Sequence, residues 1–268
     1  MEKRPIVTLL TDFGEGSYVP SVKGVLLGLA PEARLVDISH DIEPGAAGCA
    51  GFLLSRTAPW FPPGTIHFVV VDPGVGTDRL GLIVEADGSV YVGPDNGVLG
   101  LVIERAERVR AFRIEEGEWT PDRVCPTFHG RDIFAPVAGR IARGEPIGQF
   151  GPPIDSSRLT PFPIRPPRRE ENRFLGEVVW VDRFGNLITN LERCAVEEWA
   201  GDGPFRAVVG GTSIDTRVHT FMEADAGDLI VLHGSWETVE IAVVTGNAAK
   251  RLGVASGEPV RLEKIHGR

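Results

Sequence analysis

Three apolar, strand-like segments in the first half of the chain are each followed by an ionisable side chain. Asp12 follows RPIVTLLT, His40 follows ARLVDIS, and Asp72 follows TIHFVVV. In an open parallel sheet, ligands bind beyond the carboxyl ends of the strands, so these side chains are expected to face one cleft. A carboxylate there can accept hydrogen bonds from both hydroxyls of a ribose, a role for which Asp12 is suited. Taken singly, each residue has an ordinary alternative as a turn-forming aspartate or a structural histidine.

The segment that begins at Asp72 is DPGVGTDR, which combines two glycines with Arg79. Gly74 and Gly76 permit positive φ and let a ligand approach the backbone closely. A guanidinium pairs with a carboxylate through parallel hydrogen bonds, so Arg79 can hold Asp72 ionised and in place. The pattern is neither GxGxxG before a helix nor a GKS or GKT motif. A nucleoside therefore fits this turn better than a nucleotide phosphate.

A further loop, CPTFHGRDIFAP, carries His129, Arg131 and Asp132 directly before a predicted helix. Histidine titrates near neutral pH and is a frequent general base. A lone histidine is more often a hydrogen-bonded structural residue, so the interpretation depends on what surrounds it. The loop is a second candidate source of catalytic groups.

The order of the segments predicts an α/β domain. Strand-like runs alternate with the helical patterns YVPSVKGVLLGLAPEA, GAAGCAGFLLSRTAPWF and VLGLVIERA. The segment LGLIVEADGSVYVG predicts a hairpin about Asp87-Gly88. Such a β-α-β order implies a largely parallel sheet with helices on its faces.

Beyond residue 150 the character of the sequence changes. Residues 151–169 are dense in proline, and the segments that follow are short strands separated by turn residues, which predicts a small antiparallel β-barrel or sandwich. NAAKRLG predicts one short helix, with Asn247 as N-cap and Gly253 as its stop. The predicted fold class is α/β, with an N-terminal, largely parallel sheet flanked by helices and a smaller C-terminal antiparallel β-barrel. The predicted boundaries are 1–160 for the α/β domain, 161–171 for a proline-rich linker and 172–268 for the barrel.

The second domain contains VDRFGNLITN, whose polar and aromatic residues could bind a base. Asn186 offers a donor and an acceptor to a base edge, and Phe184 can stack on that base. The FGN turn is also compatible with a plain hairpin. Ser235 and Glu240 border an apolar strand in HGSWETVEIAVV, a pattern that an ordinary exposed face also shows.

The composition argues against several classes of function. The net charge is −9 and no basic face is clustered, which argues against nucleic acid as a partner. No apolar run approaches the roughly 20 residues that cross a bilayer, and the N-terminus lacks a signal-peptide pattern, so we expect a cytoplasmic protein without a membrane partner. The three cysteines form no CxxC pair and the six histidines no HExxH pair, so we expect reduced cysteines and no metal.

Seven motifs, in order along nearly the whole chain, resemble those of one family. They are TDFG at 11–14, ISHDI at 38–42, FPPGTIHFVVVDPGVGT at 61–77, YVGPDNG at 91–97, TFHGRDIFAP at 127–136, DRFGNLITN at 182–190 and GNAA at 246–249. The family is the adenosine-forming S-adenosyl-L-methionine (SAM) hydrolases, also called SAM hydroxide adenosyltransferases. Its members are related to the SAM-dependent fluorinase and chlorinase.

The resemblance implies an N-terminal α/β domain, a C-terminal β-barrel and a homotrimer with active sites between neighbouring subunits. It also implies hydrolysis of SAM to adenosine and L-methionine, with SAM as the substrate and no cofactor. The family's catalytic Asp/Arg/His set falls on Asp72, Arg79 and His129. The predicted substrate-binding residues are Asp12 for the ribose, Phe184 and Asn186 for adenine, Asp182 and Ser235 for the amino-acid end, and Glu240 and Val243, which complete the set.

Two alternatives stay open at this level. A SAM-dependent halogenase is disfavoured, because the halogenases carry Tyr at the position of Asp72 and a Tyr-Ser pair beginning at the position of His129. A non-catalytic module that binds SAM or adenosine would leave SAM intact. The chain departs from the family pattern at 15–19, where many members have an acidic residue before Tyr-Val, and at Trp236, where smaller or basic residues are common.

The implied chemistry suits these side chains. Methionine leaves a sulfonium as a neutral thioether, so the reaction needs no general acid but does need a water in line with the C5′–S bond. Asp72 can orient that water. Arg79 is a poor base because a guanidinium stays protonated in proteins, which makes His129 the preferred proton acceptor, although the residues leave open which member takes the proton.

Overall fold

Contacts between Cα atoms divide the chain into two units, Met1–Pro163 and Ile164–Arg268. The computed structural model describes residues 4–201 and 203–265. The predicted domain boundaries, 1–160, 161–171 and 172–268, stay predictions. Within the described ranges, no helix is long and apolar enough to cross a membrane.

The first unit is a seven-stranded sheet with helices between its strands, and the predicted strands and helices of this half are all present. Its strands are β1 Ile6–Thr11, β2 Arg34–Ser39, β3 Ile66–Val70, β4 Gly81–Ala86, β5 Ser89–Pro94, β6 Val109–Ile114 and β7 Pro153–Ile154. Its helices are α1 Tyr18–Leu29, α2 Ala47–Thr57, α3 Gly100–Arg105 and α4 Ala135–Ala142.

The strands lie in the order β2-β1-β3-β5-β4-β6-β7. β1 pairs in parallel with β2 and β3, and β3 pairs in parallel with β5. Only β4 and β7 run against the other five strands, so the predicted largely parallel sheet is confirmed. Because β1 lies between β2 and β3, the strand ends that precede Asp12, His40 and Asp72 are neighbours.

The predicted hairpin about Asp87-Gly88 is confirmed as the antiparallel pair β4–β5. Asp87 has a φ of 47° and Gly88 a φ of 86°, as a type I′ turn requires at both central positions. The hairpin places β4 between β5 and β6.

Helices α1 and α4 pack on the sheet and on each other. Val22 and Leu26, four residues apart on α1, lie on one face of that helix and are fully buried in the core with residues of β1 and β3. A Cβ on Gly139 would lie 3.0 Å from Leu29 Cβ, so the missing side chain lets α1 and α4 approach closely. All five residues of β3 are buried, and this strand therefore gives the loop at Asp72 a rigid support.

One histidine belongs to this core. His67, in β3, is fully buried, with Nδ1 2.8 Å from Thr8 Oγ1 and its ring stacked 4.7 Å from that of Tyr91. Phe61 contacts the same ring edge-on at 5.8 Å. Burial lowers the pKa of His67 to about 4.

We expect His67 to weaken the fold in acid. The unfolded chain binds a proton here below about pH 6.5, whereas the folded chain does so only near pH 4. Stability is therefore full above pH 6.5 and falls by about 3 kcal/mol as the pH approaches 4. The double variant Thr8→Val/His67→Phe keeps the ring contacts and leaves no hydroxyl without a partner. Its unfolding free energy in urea should not show this fall between pH 6.5 and 4. Exposed His219, changed to Gln, serves as the control, and an unchanged acid dependence in the double variant would contradict the expectation.

The second unit is an antiparallel sheet that curves into a barrel, as predicted. Its strands are β8 Arg168–Arg169, β9 Arg173–Val181, β10 Leu187–Glu192, β11 Phe205–Val209, β12 Thr212–Ile214, β13 Leu229–His233, β14 Thr238–Val243 and β15 Pro259–Lys264. They follow the order β12-β11-β15-β9-β10-β14-β13, with β8 beside β9. The segment after β12 nearly closes the barrel, because Val218 N donates to Val231 O of β13 at 3.0 Å and Val231 N donates to Thr216 O at 2.9 Å.

Two helices accompany the barrel. The predicted one is confirmed as α6 Ala248–Leu252, in which the Asn247 side chain accepts a hydrogen bond from Lys250 N and Gly253 adopts a φ of 66°. The other, α5 Arg193–Ala200, is not among the predicted elements. It is only eight residues long, follows β10 directly and has no side-chain cap, so little in the sequence marks where a helix begins.

The proline-dense stretch 151–169 contains two short strands, β7 and β8. β7 pairs with β6, and β8 pairs with β9. Between them, Leu159 is buried and Thr160 N donates to Asp95 Oδ1 at 2.8 Å. Proline has no N–H to donate, so both pairings are short, and strands this short show no alternation of apolar and polar residues in the sequence.

Candidate active site

Asp72 and Arg79 face each other across the loop that leaves β3 and enters β4. Arg79 Nε donates to Asp72 Oδ1 at 3.0 Å and to Oδ2 at 3.1 Å, and Nη2 donates to Oδ2 at 2.5 Å. The two side chains are 5% and 11% exposed, respectively. The guanidinium also lies over the ring of Phe134, with Cζ 5.2 Å from the ring centre. The result is a buried, charge-assisted pair of the strong kind.

Arg79 joins His129 to this pair. Its Nη2 lies 2.9 Å from His129 Nδ1. A guanidinium nitrogen can only donate, so Nδ1 presents its lone pair and the neutral ring carries its proton on Nε2. Burial and then the charge of Arg79 lower the pKa of His129, while the charge of Asp72 acts in the opposite direction. At neutral pH the ring is therefore uncharged and its Nε2–H is a donor.

A single turn of π-helix, Gly130–Phe134, follows His129 and continues into α4. Such turns are frequent at functional sites. A Cβ on Gly130 would lie 2.9 Å from Phe13 Cζ, so glycine allows the loop after β1 to approach this turn.

Asp132 fixes the loop that precedes His129. Its Oδ2 accepts a hydrogen bond from Cys125 N at 2.8 Å, and its Oδ1 accepts one from Arg131 Nε at 2.6 Å. The predicted polar residues of this loop thus divide into His129, which contacts Arg79, and the pair Arg131–Asp132, which organises the backbone.

Three aromatic rings connect the loop after β1 with the loop before His129. Phe13 lies 5.8 Å from Phe128, and Tyr18 lies 5.1 Å from Phe128, both with edge-to-face geometry. Phe13 and Tyr18 are 6.0 Å apart. Edge-to-face pairs of this kind are favourable, so the trio holds the two loops together.

Asp12 lies beside the loop of Asp72. Its Oδ2 accepts a hydrogen bond from Gly45 N at 2.9 Å. Gly45 has a φ of 79°, and a Cβ there would lie 3.4 Å from Pro73 Cβ. The loops after β1, β2 and β3 therefore adjoin, as their strand order requires.

His40 lies at the expected end of β2, and its ring is held by contacts with other side chains. Its Nδ1 lies 2.8 Å from Thr11 Oγ1, and its Nε2 lies 3.1 Å from Asp37 Oδ1. Lys23 Nζ lies 2.6 Å from the other oxygen of Asp37. Both ring nitrogens therefore take part in polar contacts at the ends of β1 and β2, which favours the structural interpretation of this histidine.

In the second unit, Asp182 organises the turn between β9 and β10. Its Oδ1 accepts hydrogen bonds from Phe184 N at 2.8 Å and Asn186 N at 2.9 Å, and its Oδ2 accepts one from Asn186 Nδ2 at 3.1 Å. Gly185 has a φ of 86°, and a Cβ there would collide with the side chain of Asn247. The turn thus presents Phe184, 68% exposed, above a buried Asn186.

Glu240 lies next to this turn. It is buried in β14, and a Cβ on Gly234 would overlap its Oε2. Burial and then the charge of Asp182 raise the pKa of Glu240 to about 7, against the effect of a hydrogen bond with Asn186. Glu240 therefore exchanges a proton near neutral pH and can meet a ligand in either charge state.

The two other predicted binding residues differ in exposure. Ser235 is exposed beyond the end of β13. Val243 is buried in the barrel core, where it packs with residues such as Val231 and Ile241. Phe134, which contacts Arg79, is not among the predicted site residues, because an aromatic at a helix start carries no distinct signal.

Each unit thus carries its own set of polar groups. The first presents a buried carboxylate, a fixed guanidinium and a neutral imidazole, which together can orient a water molecule. The second presents an aromatic ring, an amide and two carboxyl groups around one turn. Within residues 4–201 and 203–265, no three His, Cys, Asp or Glu side chains are grouped to hold a metal ion.

Comparison with known families shows which family the chain belongs to. Residues 7–151 match the SAM hydroxide adenosyltransferase N-terminal domain, and residues 176–261 match the SAM hydroxide adenosyltransferase C-terminal domain. The chain belongs to the SAM hydroxide adenosyltransferase family. Each of the two matched ranges lies within one unit of the fold.

Individual members of the family are similar over nearly their whole length. A protein of Salinispora tropica named (R)-S-adenosyl-L-methionine hydrolase is 36% identical over 264 residues, which cover 98% of this chain and 99% of that protein. One of the same name from Thermus thermophilus is 39% identical over 268 residues, covering 97% and 99%. The crystal structure of an uncharacterized conserved protein from Thermotoga maritima has a TM-score of 0.88 at 35% identity, covering 96% and 99%.

Proposed function

We propose that this protein hydrolyses SAM to adenosine and L-methionine. The observation that carries the proposal is the hydrogen-bonded trio of Asp72, Arg79 and His129 in a member of the SAM hydroxide adenosyltransferase family. Two relatives that match nearly end to end bear the name (R)-S-adenosyl-L-methionine hydrolase.

The reaction balances without a cofactor, and none is proposed. A water oxygen forms a bond to C5′ as the C5′–S bond breaks, and the electron pair of that bond stays on sulfur. The sulfonium thereby becomes the neutral thioether of methionine. One water proton stays on the new 5′-hydroxyl and the other is released, so each turnover yields one proton.

Two residues can bind the attacking water, one as a hydrogen-bond acceptor and one as a donor. Asp72 Oδ1 accepts a hydrogen bond from Arg79 Nε and keeps lone-pair capacity for a water proton. His129 uses Nδ1 to accept from Arg79, so its Nε2–H can donate to the water oxygen and orient it. We propose that Asp72, not His129, is the first acceptor of the proton, and that the charge of Asp72 also stabilises the approach of the sulfonium.

The substrate-binding set is also proposed from the family. Asp12 would bind the ribose hydroxyls, and Phe184 and Asn186 would bind adenine. Asp182 and Ser235 would hold the amino-acid end, and Glu240 and Val243 complete the proposed binding set. We further propose a homotrimer in the cytoplasm, which light scattering of the purified protein and fractionation of cells would test.

His129 should require its neutral form. Protonation would place an N–H against the donors of Arg79, so turnover should fall only once the pH drops below the usual histidine pKa of about 6.5. His129→Ala should lower kcat by about 10²-fold. His129→Asn, whose Oδ1 can still accept from Arg79 but cannot titrate, should lose this acid limb. The test is kcat/KM against pH for the three proteins, and a midpoint above 6.5 that persists in His129→Asn would refute the assignment.

The proposed activity is tested by product analysis in labelled water. Purified protein is incubated with SAM in halide-free buffer made with ¹⁸O-water, beside a tube without protein that corrects for spontaneous breakdown. Adenosine labelled at its 5′ oxygen, together with free methionine, is the expected result. Intact SAM at every pH tested would favour a binding module, and a halogenated nucleoside after addition of chloride would favour a halogenase.

A further inference from the structure

The loop that carries Asp72 and Arg79 is tied at both ends to one neighbouring loop. At one end, Asn96 Nδ2 donates to the carbonyl oxygen of Val71 at 2.7 Å. At the other end, Asp95 N donates to the carbonyl oxygen of Leu80 at 2.9 Å. Two successive residues after β5 therefore hold the residue before Asp72 and the residue after Arg79.

The hydrogen bond from Asn96 extends the pairing between β3 and β5 beyond the point where backbone hydrogen bonds can form. The paired register of β3 and β5 ends at Phe68 and Val92. A Cβ on Gly93 would collide with Val69 O, so the strands remain close, but Pro94 has no N–H to donate. The Asn96 amide extends into this gap and donates to the last carbonyl before Asp72.

The orientation of the Asn96 amide is settled by its two partners. Nδ2 faces the carbonyl of Val71, and Oδ1 accepts a hydrogen bond from Val98 N at 3.2 Å. A flipped amide would oppose oxygen to oxygen and N–H to N–H, which loses both bonds. The side chain is thus a fixed bridge between its own turn and the end of β3.

The other end of the loop is held in a similar way. Leu80 O accepts from Asp95 N, and it also lies 3.4 Å from Arg79 Nη1. The guanidinium is therefore connected to the same neighbouring loop that holds Val71. A displacement of either anchor would move Asp72 or Arg79, and through Arg79 it would move His129.

We propose that Asn96 is a positioning residue for Asp72, Arg79 and His129. This role rests on the proposed hydrolysis of SAM, because it is for water attack that the three groups must be aligned. Asn96 acts through the backbone of Val71 and has no contact of its own with the reacting atoms. A misplacement of about 1 Å at a reacting centre can lower a rate by about 10²-fold.

The decisive variant is Asn96→Asp. It keeps an oxygen that accepts from Val98 N, but it places a carboxylate oxygen against the carbonyl of Val71. We expect kcat to fall by about 10- to 100-fold with KM within about threefold of wild type, because the water is misplaced while the substrate contacts are not. Asn96→Ser, which can accept from Val98 N but is too short for Val71, should act in the same direction and covers the case in which Asn96→Asp does not fold.

The matched control is Asn190→Asp. Asn190 also bridges two segments, since Nδ2 donates to Arg165 O at 2.9 Å and Oδ1 accepts from Glu177 N at 2.8 Å. It lies in the second unit, outside the proposed catalytic groups and the proposed binding set. The same chemical change there should alter stability and leave kcat within about threefold.

A second measurement does not depend on turnover. Nitrogen NMR of the six histidine rings, with His129 identified by His129→Asn, reports whether Nδ1 accepts a hydrogen bond and Nε2 carries the proton. These signals should change in Asn96→Asp and Asn96→Ser and stay unchanged in Asn190→Asp. Wild-type kcat together with unchanged His129 signals in both Asn96 variants would overturn the proposal. If the wild-type protein releases no adenosine from SAM, the proposed function fails, and the NMR comparison still decides the role of Asn96.

Discussion

Asp72→Asn should lower kcat for adenosine formation by at least about 10²-fold, the largest loss expected from any isosteric change in this chain. The amide preserves the shape of the carboxylate but removes the charge that opposes the sulfonium. The amide also keeps only one acceptor oxygen, so Arg79 could no longer donate to two oxygens at once as it does in the wild type. Initial rates at saturating SAM, with adenosine quantified by chromatography, give the value.

The control for this prediction is Asp155→Asn. Asp155 is also a hydrogen-bonded aspartate, but its donor is the backbone Ser157 N at 2.9 Å and it caps a short 3₁₀ turn, Ser156–Arg158. The same loss of one charge there should leave turnover unchanged. Comparable rates in Asp72→Asn and Asp155→Asn, with both proteins folded, would rule out a catalytic carboxylate at position 72.

Arg79→Met should cost about 3–5 kcal/mol of unfolding free energy in addition to abolishing turnover. The substitution leaves Asp72, 5% exposed, as a buried charge without its partner, and such uncompensated charges are strongly destabilising. It also removes the contact with His129 and the packing on Phe134. Denaturation in urea at pH 7, followed by circular dichroism, measures the loss.

A double variant separates the two effects. Asp72→Asn/Arg79→Met no longer buries a charge, so it should recover part of the lost stability while remaining inactive. The coupling between the two positions should therefore be large, as for residues in direct contact. If Arg79→Met and the double variant are equally unstable, the destabilisation comes from lost packing and not from an unpaired carboxylate.

Much of the first unit can be predicted from local patterns, because its signals are short-range. Each signal specifies a local conformation: the apolar run before Asp72 a strand, the glycines after it a tight loop, and Asp87-Gly88 a hairpin turn. The pairing of Asp72 with Arg79 can be predicted from sequence for the same reason, because both residues lie in one loop. By contrast, only the resemblance to a family assigns His129 to this pair, because it is distant in the chain.

The residues that sequence analysis interprets poorly are those whose contacts are not indicated by the residue types around them. Asn96 acts through the carbonyl of Val71, and no pattern of side-chain types reveals such a contact. His40 follows a strand as Asp12 and Asp72 do, yet its ring contacts Thr11 and Asp37, which its position in sequence does not indicate. In α5, burial of Val196 and Trp199 by tertiary packing replaces the missing local signal.

The anchoring of the 72–80 loop at both ends has a consequence for how this protein can change over generations. The two anchoring bonds come from outside the loop and involve none of the side chains between Pro73 and Asp78. Inside the loop, Gly76 requires glycine because of its φ of 79° and its approach to Pro126 O, and Thr77 supports the far end because its Oγ1 accepts a hydrogen bond from Arg79 N at 3.4 Å. The neighbouring loop thus fixes both ends in register, so substitutions between Pro73 and Asp78 that keep Gly76 and the Thr77 hydroxyl can accumulate without displacing Asp72 or Arg79.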